Sequence, residues 1–193
     1  MEKKSIKGTR TEHNLLASFA GESQARNRYT LFAQKAVEEG YQQIAAIFLE
    51  TADQELSHAK QFFSKLEGGT VTITAGYPAG VVGSTVENLA EAAAGEREEW
   101  SDLYSNFAVT AQEEGFPEIA NLFKLVSKVE QMHEARYIKL MERLQNGQEF
   151  ESPEPIEWMC RKCGFTVSGK NAPKRCPVCG MDQGWFERRA TNF

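Results

Sequence analysis

The sequence predicts a mainly α protein: a four-helix bundle made of two similar hairpins joined by one long crossover, then a small β-rich module organised by cysteines. Three observations predict it. The only two Glu-x-x-His runs, Glu55–His58 and Glu130–His133, lie 75 positions apart in matching surroundings. Four long segments place apolar residues at helical spacing. All four cysteines stand near the end of the chain as Cys160-x2-Cys163 and Cys176-x2-Cys179.

At 193 residues the chain fits one medium domain plus a small module. The net charge of −5 gives no reason to invoke nucleic acid. Residues 151–193 carry seven Lys/Arg against five Asp/Glu, and the remainder 15 against 22, so a mildly basic tail follows an acidic body. No 18-residue apolar stretch exists, which argues against a membrane span. The opening MEKKSIKGTRTEHN lacks the apolar core of a signal peptide. Cysteines confined to two C-x2-C pairs read as metal ligands in a reducing, cytoplasmic compartment and not as a disulfide framework.

The first helix is expected from about Thr11 to Glu39, with Leu15, Leu16, Phe19, Leu31 and Phe32 at helical spacing and Gly40 as its stop. The second runs from about Gln42 to Leu66, with Ile44, Ile47, Phe48 and Phe62 on one face, ahead of Gly68-Gly69. Residues 67–83, rich in glycine and β-branched residues, are too long for a tight turn and form a crossover. Ser84-x-x-Glu87 is a capping box that opens the third helix, which reaches about Glu114. Pro117 suits the first turn of the fourth, which ends near Gly147. The bundle is thus expected over residues 1–147. A semi-rigid linker with Pro153 and Pro155 follows over 148–156, and the cysteine module over 157–193.

The two halves repeat. Gly21-Glu22 matches Gly95-Glu96 at an offset of 74. From Tyr29/Tyr104 the offset becomes 75 and stays so through Glu38-Glu39-Gly40/Glu113-Glu114-Gly115, Phe48/Phe123, Glu55/Glu130 and His58/His133. Two hairpins related by approximate two-fold symmetry and one long crossover describe the ferritin-like arrangement. The inserted residue falls between positions 96 and 104, inside a long helix, where a π-bulge absorbs it.

Folding each hairpin at its turn brings Glu22 level with Glu55, and Glu96 with Glu130, about 26 Å from the turn at 1.5 Å per residue. His58 and His133 follow their glutamates on the same helix face. Each half therefore supplies one Glu and one Glu-x-x-His, the ligand set of a di-iron or di-manganese carboxylate site. Buried ionised carboxylates would otherwise cost several kcal/mol each. Glu99, three residues after Glu96, has Ala25 as its counterpart, so the second half carries an extra carboxylate. The candidate ligands are Glu22, Glu55, His58, Glu96, Glu99, Glu130 and His133. Tyr29 and Tyr104, two turns from Glu22 and Glu96, are assigned as hydrogen-bond donors to ligand carboxylates, with plain core tyrosines as the alternative. His13 is read as a surface residue. Five glutamates carry −5; two Fe(II), or two Fe(III) with a bridging oxide, both bring the total to −1. Zinc would fill the site without redox use.

Cys160, Cys163, Cys176 and Cys179 specify one tetrahedral S4 metal, with zinc and iron both compatible. A neighbouring di-metal site that needs electrons favours iron. Gly164 and Gly180 permit the tight knuckle after each pair, and Trp158, Phe165, Trp185 and Phe186 supply a small core.

GESQARNRY, DQELSHA, GEREEW, EQMHEARY and CRKCG…CPVCG resemble the rubrerythrin family, over essentially the whole chain. In that family a ferritin-like domain with an oxo-bridged non-haem di-iron centre precedes a rubredoxin-like domain with a mononuclear Fe(Cys)4 centre. The resemblance implies reduction of hydrogen peroxide to water. It also implies an NAD(P)H-linked reductase or a rubredoxin as electron donor, and head-to-tail association into a homodimer or higher homo-oligomer. It further implies that Glu22, Glu55, Glu96, Glu99, Glu130 and His133 bind the irons, one of which exchanges Glu99 for His58 on reduction. Competing functions are a ferroxidase or iron-handling protein, and a non-catalytic redox carrier.

Overall fold

In the computed structural model, which describes residues 4–192, helices α1 (Arg10–Glu38) and α2 (Gln42–Phe63) form the first hairpin. The outermost residues of the two expected domains, 1–3 and 193, lie outside the described residues. The second hairpin is α3 (Thr85–Glu98) and α4 (Tyr104–Glu113), running back against α5 (Pro117–Gln145). A π-helical turn over Glu99–Leu103 joins α3 to α4 as one rod, where the sequence expects its extra residue. The second helix stops at Phe63, before the expected Leu66.

Local chemistry sets the ends. Ser84 and Glu87 form the capping box of α3, with Glu87 Oε2 accepting the Ser84 N–H at 2.8 Å. Gly40, at φ +82°, ends α1: its N–H reaches Val37 O at 3.1 Å and the Tyr41 N–H reaches Ala36 O at 2.8 Å. Gly115, at φ +79°, repeats this after α4 with Gln112 and Ala111. Both glycines supply the left-handed residue that such a stop requires.

The glutamate before each of these glycines caps a helix of the other half. Glu39 Oε2 accepts the Thr85 N–H at 2.9 Å, at the start of α3. Glu114 Oε2 accepts the Thr11 N–H at 2.8 Å, at the start of α1. A carboxylate on free N–H groups at a positive helix end is doubly favourable. These reciprocal caps tie the two hairpins together at both ends.

Two apolar clusters fill the bundle. One lies toward the Gly40 turn and holds Tyr29, Phe32, Ile44, Phe48, Leu89 and Tyr137. The other lies toward the Gly115 turn and holds Leu15, Phe62, Tyr104, Phe116 and Phe123. Between them sit the buried glutamates 22, 55, 96 and 130. Among the described residues no helix is long and apolar enough to cross a membrane.

The C-terminal module is a three-stranded antiparallel sheet of order β2–β1–β3, with β1 Glu151–Cys160, β2 Thr166–Asn171 and β3 Phe186–Arg188. Strand β1 begins inside the segment expected as a linker. Its pairing with β2 is broken between Glu151 and Ile156, the stretch that contains Pro153 and Pro155, which cannot donate to a ladder. Trp158, Cys160, Ala172, Cys176 and Phe186 form the module's buried core.

The module packs on the Gly40 end of its own bundle. Tyr41 stacks on Phe150 with ring centroids 6.1 Å apart, and Arg143 bridges Glu149 at 2.6 Å and Gln43 at 3.0 Å. Gly184 lies so close to the Gly40 carbonyl that a side chain there has no room.

Candidate metal centres

Four helices deliver the carboxylate–histidine cluster. Glu22 comes from α1, Glu55 and His58 from α2, Glu96 from α3, and Glu130 and His133 from α5. Their ligand atoms form two overlapping groups, Glu22/Glu55/His58/Glu130 and Glu55/Glu96/Glu130/His133, each within 4.8 Å. Glu55 and Glu130 belong to both. Glu130 sets Oε1 3.0 Å from His58 Nδ1 and Oε2 2.8 Å from His133 Nδ1. Glu55 sets Oε2 2.9 Å from His58 Nδ1 and Oε1 3.2 Å from His133 Nδ1. Each central carboxylate thus offers one oxygen to each half. Glu22 and Glu96 serve one half apiece, with His58 Nδ1 3.8 Å from Glu22 and His133 Nδ1 3.6 Å from Glu96.

The outer oxygens of this cluster are satisfied; of the inner ones only Glu55 Oε2 has a hydrogen-bond partner, His58 Nδ1 at 2.9 Å. Tyr29 donates to Glu96 Oε1 and Tyr104 donates to Glu22 Oε1, both at 2.5 Å. Each tyrosine supports the glutamate of the opposite half. Burial, and then the facing glutamate, push both phenols well above their ordinary value, so both remain donors. The other oxygens, Glu22 Oε2, Glu55 Oε1, Glu96 Oε2 and both of Glu130, are buried with no hydrogen-bond partner, as is His133 Nδ1. Native interiors do not leave so many charged acceptors unpaired around one point. A pair of cations satisfies all of them, so the residues present fit a di-metal centre.

The proton balance of the protein atoms says the same. Burial, and then the charge of Glu55, raise Glu22 well above the carboxylate range and push Glu96 up to about 8. Burial also works against Glu55, but His133 and His58 outweigh it and hold it down to about 2. Burial opposes charge on the imidazoles too, yet Glu130 and Glu55 push His133 up to about 12, and Glu130 and Glu22 raise His58 in the same direction. Protons hold the carboxylates together wherever cations do not, so metal binding displaces them.

Glu99 stands apart. It opens the π turn and its Oε1 approaches Gly21, beside Glu22, but it belongs to neither four-atom group. In the first half His58 holds the fourth place. Burial, then Glu22 and Glu96, raise the Glu99 carboxyl well above the ordinary range.

Sequence reasoning did not single out Gln54 and Arg136. Gln54 Oε1 lies 2.9 Å from His133 Nε2, and Arg136 reaches both Gln54 and Thr51. This fixes the His133 ring so that Nδ1 faces the cluster. Gln54 has Val129 as its repeat counterpart, so symmetry gave no signal for it. His13 is exposed on α1.

In the module, Cys160 and Cys179 sulfurs are 3.7 Å apart and Cys163 and Cys176 sulfurs 3.6 Å. That is far beyond a disulfide. Four sulfurs at about 2.3 Å from one metal stand roughly 3.8 Å from each other. Gly164 (φ +78°) and Gly180 (φ +74°) close the two knuckles, with N–H groups on Cys160 O at 2.8 Å and Cys176 O at 2.9 Å. Burial opposes the Cys176 thiolate, but N–H groups of Cys179 and Val178 outweigh it and draw the thiol down to about 7. The Phe165 N–H favours the Cys163 thiolate, yet burial and the neighbouring sulfurs push that thiol up to about 12. Four thiolates cannot share this cage without a cation, and the cage fits a mononuclear S4 centre.

A family model described as rubrerythrin matches residues 13–141, and one described as the rubrerythrin, rubredoxin-like domain matches residues 158–187. The chain is 58% identical over 190 residues to rubrerythrin of Porphyromonas gingivalis, covering 98% of this chain and 95% of that one. It is 45% identical over 190 residues to rubrerythrin of Nitratidesulfovibrio vulgaris, at 98% and 100% coverage. The solved mixed-valence state of nigerythrin superposes with a TM-score of 0.61 at 30% identity, covering 97% of this chain and 90% of that one. A Desulfovibrio desulfuricans bacterioferritin shares the bundle fold, with a TM-score of 0.65 at 22% identity over 72% of this chain and 82% of that one. With both domains matched and close relatives aligned nearly end to end, the chain belongs to the rubrerythrin family.

Proposed function

We propose that this protein is a non-haem di-iron peroxidase that reduces hydrogen peroxide to water, with electrons relayed through its four-cysteine centre from an NAD(P)H-linked reductase or a rubredoxin. The observation that carries the reading is one chain holding both a buried carboxylate–histidine cluster with unsatisfied inward oxygens and a tetrahedral thiolate cage. A purely structural metal needs only one of these. When bound, two ferrous ions supply the electron pair that cleaves the O–O bond.

The protein groups have separable roles in this reading. Glu55 and Glu130, which belong to both ligand groups, would each offer an oxygen to each metal, and Glu22 with His58, and Glu96 with His133, would complete one group each. Tyr29 and Tyr104 fix Glu96 and Glu22, so each keeps one oxygen for metal. Glu99 would exchange with His58 at the first ligand group, and its carboxyl, which burial and then Glu22 raise well above the ordinary range, would hold a proton at that end of the cluster. The apolar clusters on either side limit water access along the bundle axis.

The four-cysteine module sits on the Gly40 end of its own bundle, about 26 Å along the helices from the cluster. That gap is long for direct transfer, so the module serves the cluster of a neighbouring subunit in a head-to-tail homo-oligomer. The test is anaerobic turnover of iron-loaded protein with an NAD(P)H-linked reductase. Peroxide-dependent NAD(P)H oxidation is expected. Iron oxidation with growth of a mineral core, and no peroxide-dependent NAD(P)H oxidation, would favour iron handling and overturn the peroxidase reading.

A further inference from the structure

A cavity of about 320 Å³ opens between α1, the α3–α4 rod and the crossover. A water molecule takes about 30 Å³ of liquid volume, so hydrogen peroxide needs only a small part of this space. The size is that of a site for a small organic ligand.

Its two ends differ in chemistry. The inner end is formed by Gly21, next to Glu22 in the chain, by Glu99, whose Oε1 approaches Gly21, and by Tyr104, whose hydroxyl donates to Glu22. The rest of the lining is mixed: Ala17, Leu103 and Phe107 give it an apolar wall, and His13, Gln24 and Arg28 are polar. Tyr77 from the crossover closes one side. Its hydroxyl donates to Ala17 O at 2.8 Å, and its ring passes 3.6 Å from where a Gly21 Cβ would stand. Gly21 carries no side chain, which leaves the space between Tyr77 and Glu99 free.

We infer that this cavity is the hydroperoxide entry site and that it admits small organic hydroperoxides as well as hydrogen peroxide, with Tyr77 setting the upper size. The inference rests on the peroxidase reading above. An alkyl group lies against the apolar wall while the O–O group reaches Glu99. The O–O bond breaks, ROOH takes up two electrons from the reduced di-iron centre and two protons, and ROH and water form. The reductase restores the electrons through the four-cysteine centre.

The test has a binding arm and a rate arm, both on full-length iron-loaded protein. Crystals of the oxidised protein, which does not turn over, are soaked in tert-butanol, the inert product alcohol. Density is expected between Phe107 and Glu99; a cavity containing only solvent would contradict the inference. In the second arm, reduced protein is mixed anaerobically with hydrogen peroxide, tert-butyl hydroperoxide or cumene hydroperoxide. Wild type is expected to reduce the tert-butyl compound. Ala17→Phe should lower the ratio of tert-butyl to hydrogen peroxide rates about tenfold or more, the discrimination a few methylenes give in a pocket. Tyr77→Ala should raise the cumene to hydrogen peroxide ratio, and serves if Ala17→Phe fails to fold. Ratios unchanged in both variants would overturn the role of the cavity. If wild type reduces hydrogen peroxide but no organic hydroperoxide, the substrate inference fails and the peroxidase reading stands; if it reduces neither, the reading itself fails.

Discussion

Tyr104 and Glu22, 82 positions apart, form a buried 2.5 Å hydrogen bond that mirrors the one between Tyr29 and Glu96, although the second half has one more residue between its glutamate and its tyrosine. Tyr29 follows Glu22 by seven positions and Tyr104 follows Glu96 by eight. The π turn absorbs the difference, with the Tyr104 N–H on Glu99 O. The Trp100 carbonyl within that turn accepts from Ser105 Oγ at 2.9 Å and Ser127 Oγ at 3.3 Å. Deleting the exposed Ser101 should restore a plain α-helix with the seven-residue spacing of the first half, which keeps Glu96 in register with Tyr104 and removes the turn that presents Glu99. The expected outcome is retained helicity by circular dichroism and retained iron in the bundle, with peroxide turnover below wild type. Wild-type turnover would show that the turn does not position Glu99.

Glu99→Ala should keep the fold and the metals, because four glutamates and two histidines already make up both ligand groups. Peroxide turnover should fall, by roughly 10- to 100-fold, the effect of losing a group that tunes a metal site. Iron analysis and stopped-flow rates check this. Wild-type rates in the iron-replete variant would reject a role for Glu99 in the cycle.

The reciprocal caps make a statement about pH. Burial pushes Glu39 and Glu114 up, but hydrogen bonds from Thr85 and Thr11, with Lys35 and Arg10 as partners, outweigh it, and both folded carboxyls lie below their ordinary value. A lowered carboxyl contributes stability that is present above the unfolded pKa of about 4.3 and is lost as pH falls through the folded value. Glu39→Gln and Glu114→Gln should each cost about 1 kcal/mol at pH 7, a typical capping contribution. Each should also lose less on acidification than wild type does. Denaturant midpoints at pH 7 and pH 3 measure both; equal acid sensitivity in variant and parent would contradict the assignment.

Much of the bundle was legible because helical ligands repeat in sequence: Glu55/Glu130 and His58/His133 share one offset, and the inserted residue pointed to the π turn. That Glu55 and Glu130 belong to both ligand groups was not legible. It depends on how four helices converge, and spacing along one helix reports only a face. Gln54 and Arg136 escaped for a related reason, since Gln54 meets His133 and Arg136 only across two helices remote in sequence. Residues 151–156 read as a linker because two prolines outweighed strand signals, whereas the sheet tolerates both in an unpaired stretch of β1. Tyr77 lies in a crossover with no regular structure, and its place beside Gly21 is set by tertiary packing.

Transfer between subunits is tested by mixing two inactive variants, Cys160→Ser/Cys176→Ser and Glu55→Ala/His133→Ala, after dissociation and reassociation. Mixed oligomers should recover part of the reductase-linked activity. Mixed oligomers confirmed by mass but showing no recovery would mean that each chain reduces only its own cluster.

In the proposed cycle the carboxylate–histidine cluster performs the peroxide chemistry and the cysteine cage only feeds it. The most direct measurement is a single turnover of the Cys160→Ser protein, loaded with iron in the bundle, chemically reduced and mixed anaerobically with excess hydrogen peroxide. Rapid consumption of one hydrogen peroxide per pair of ferrous ions is expected, together with loss of turnover when electrons must come from the reductase. Peroxide left untouched by the prereduced cluster would contradict that cycle.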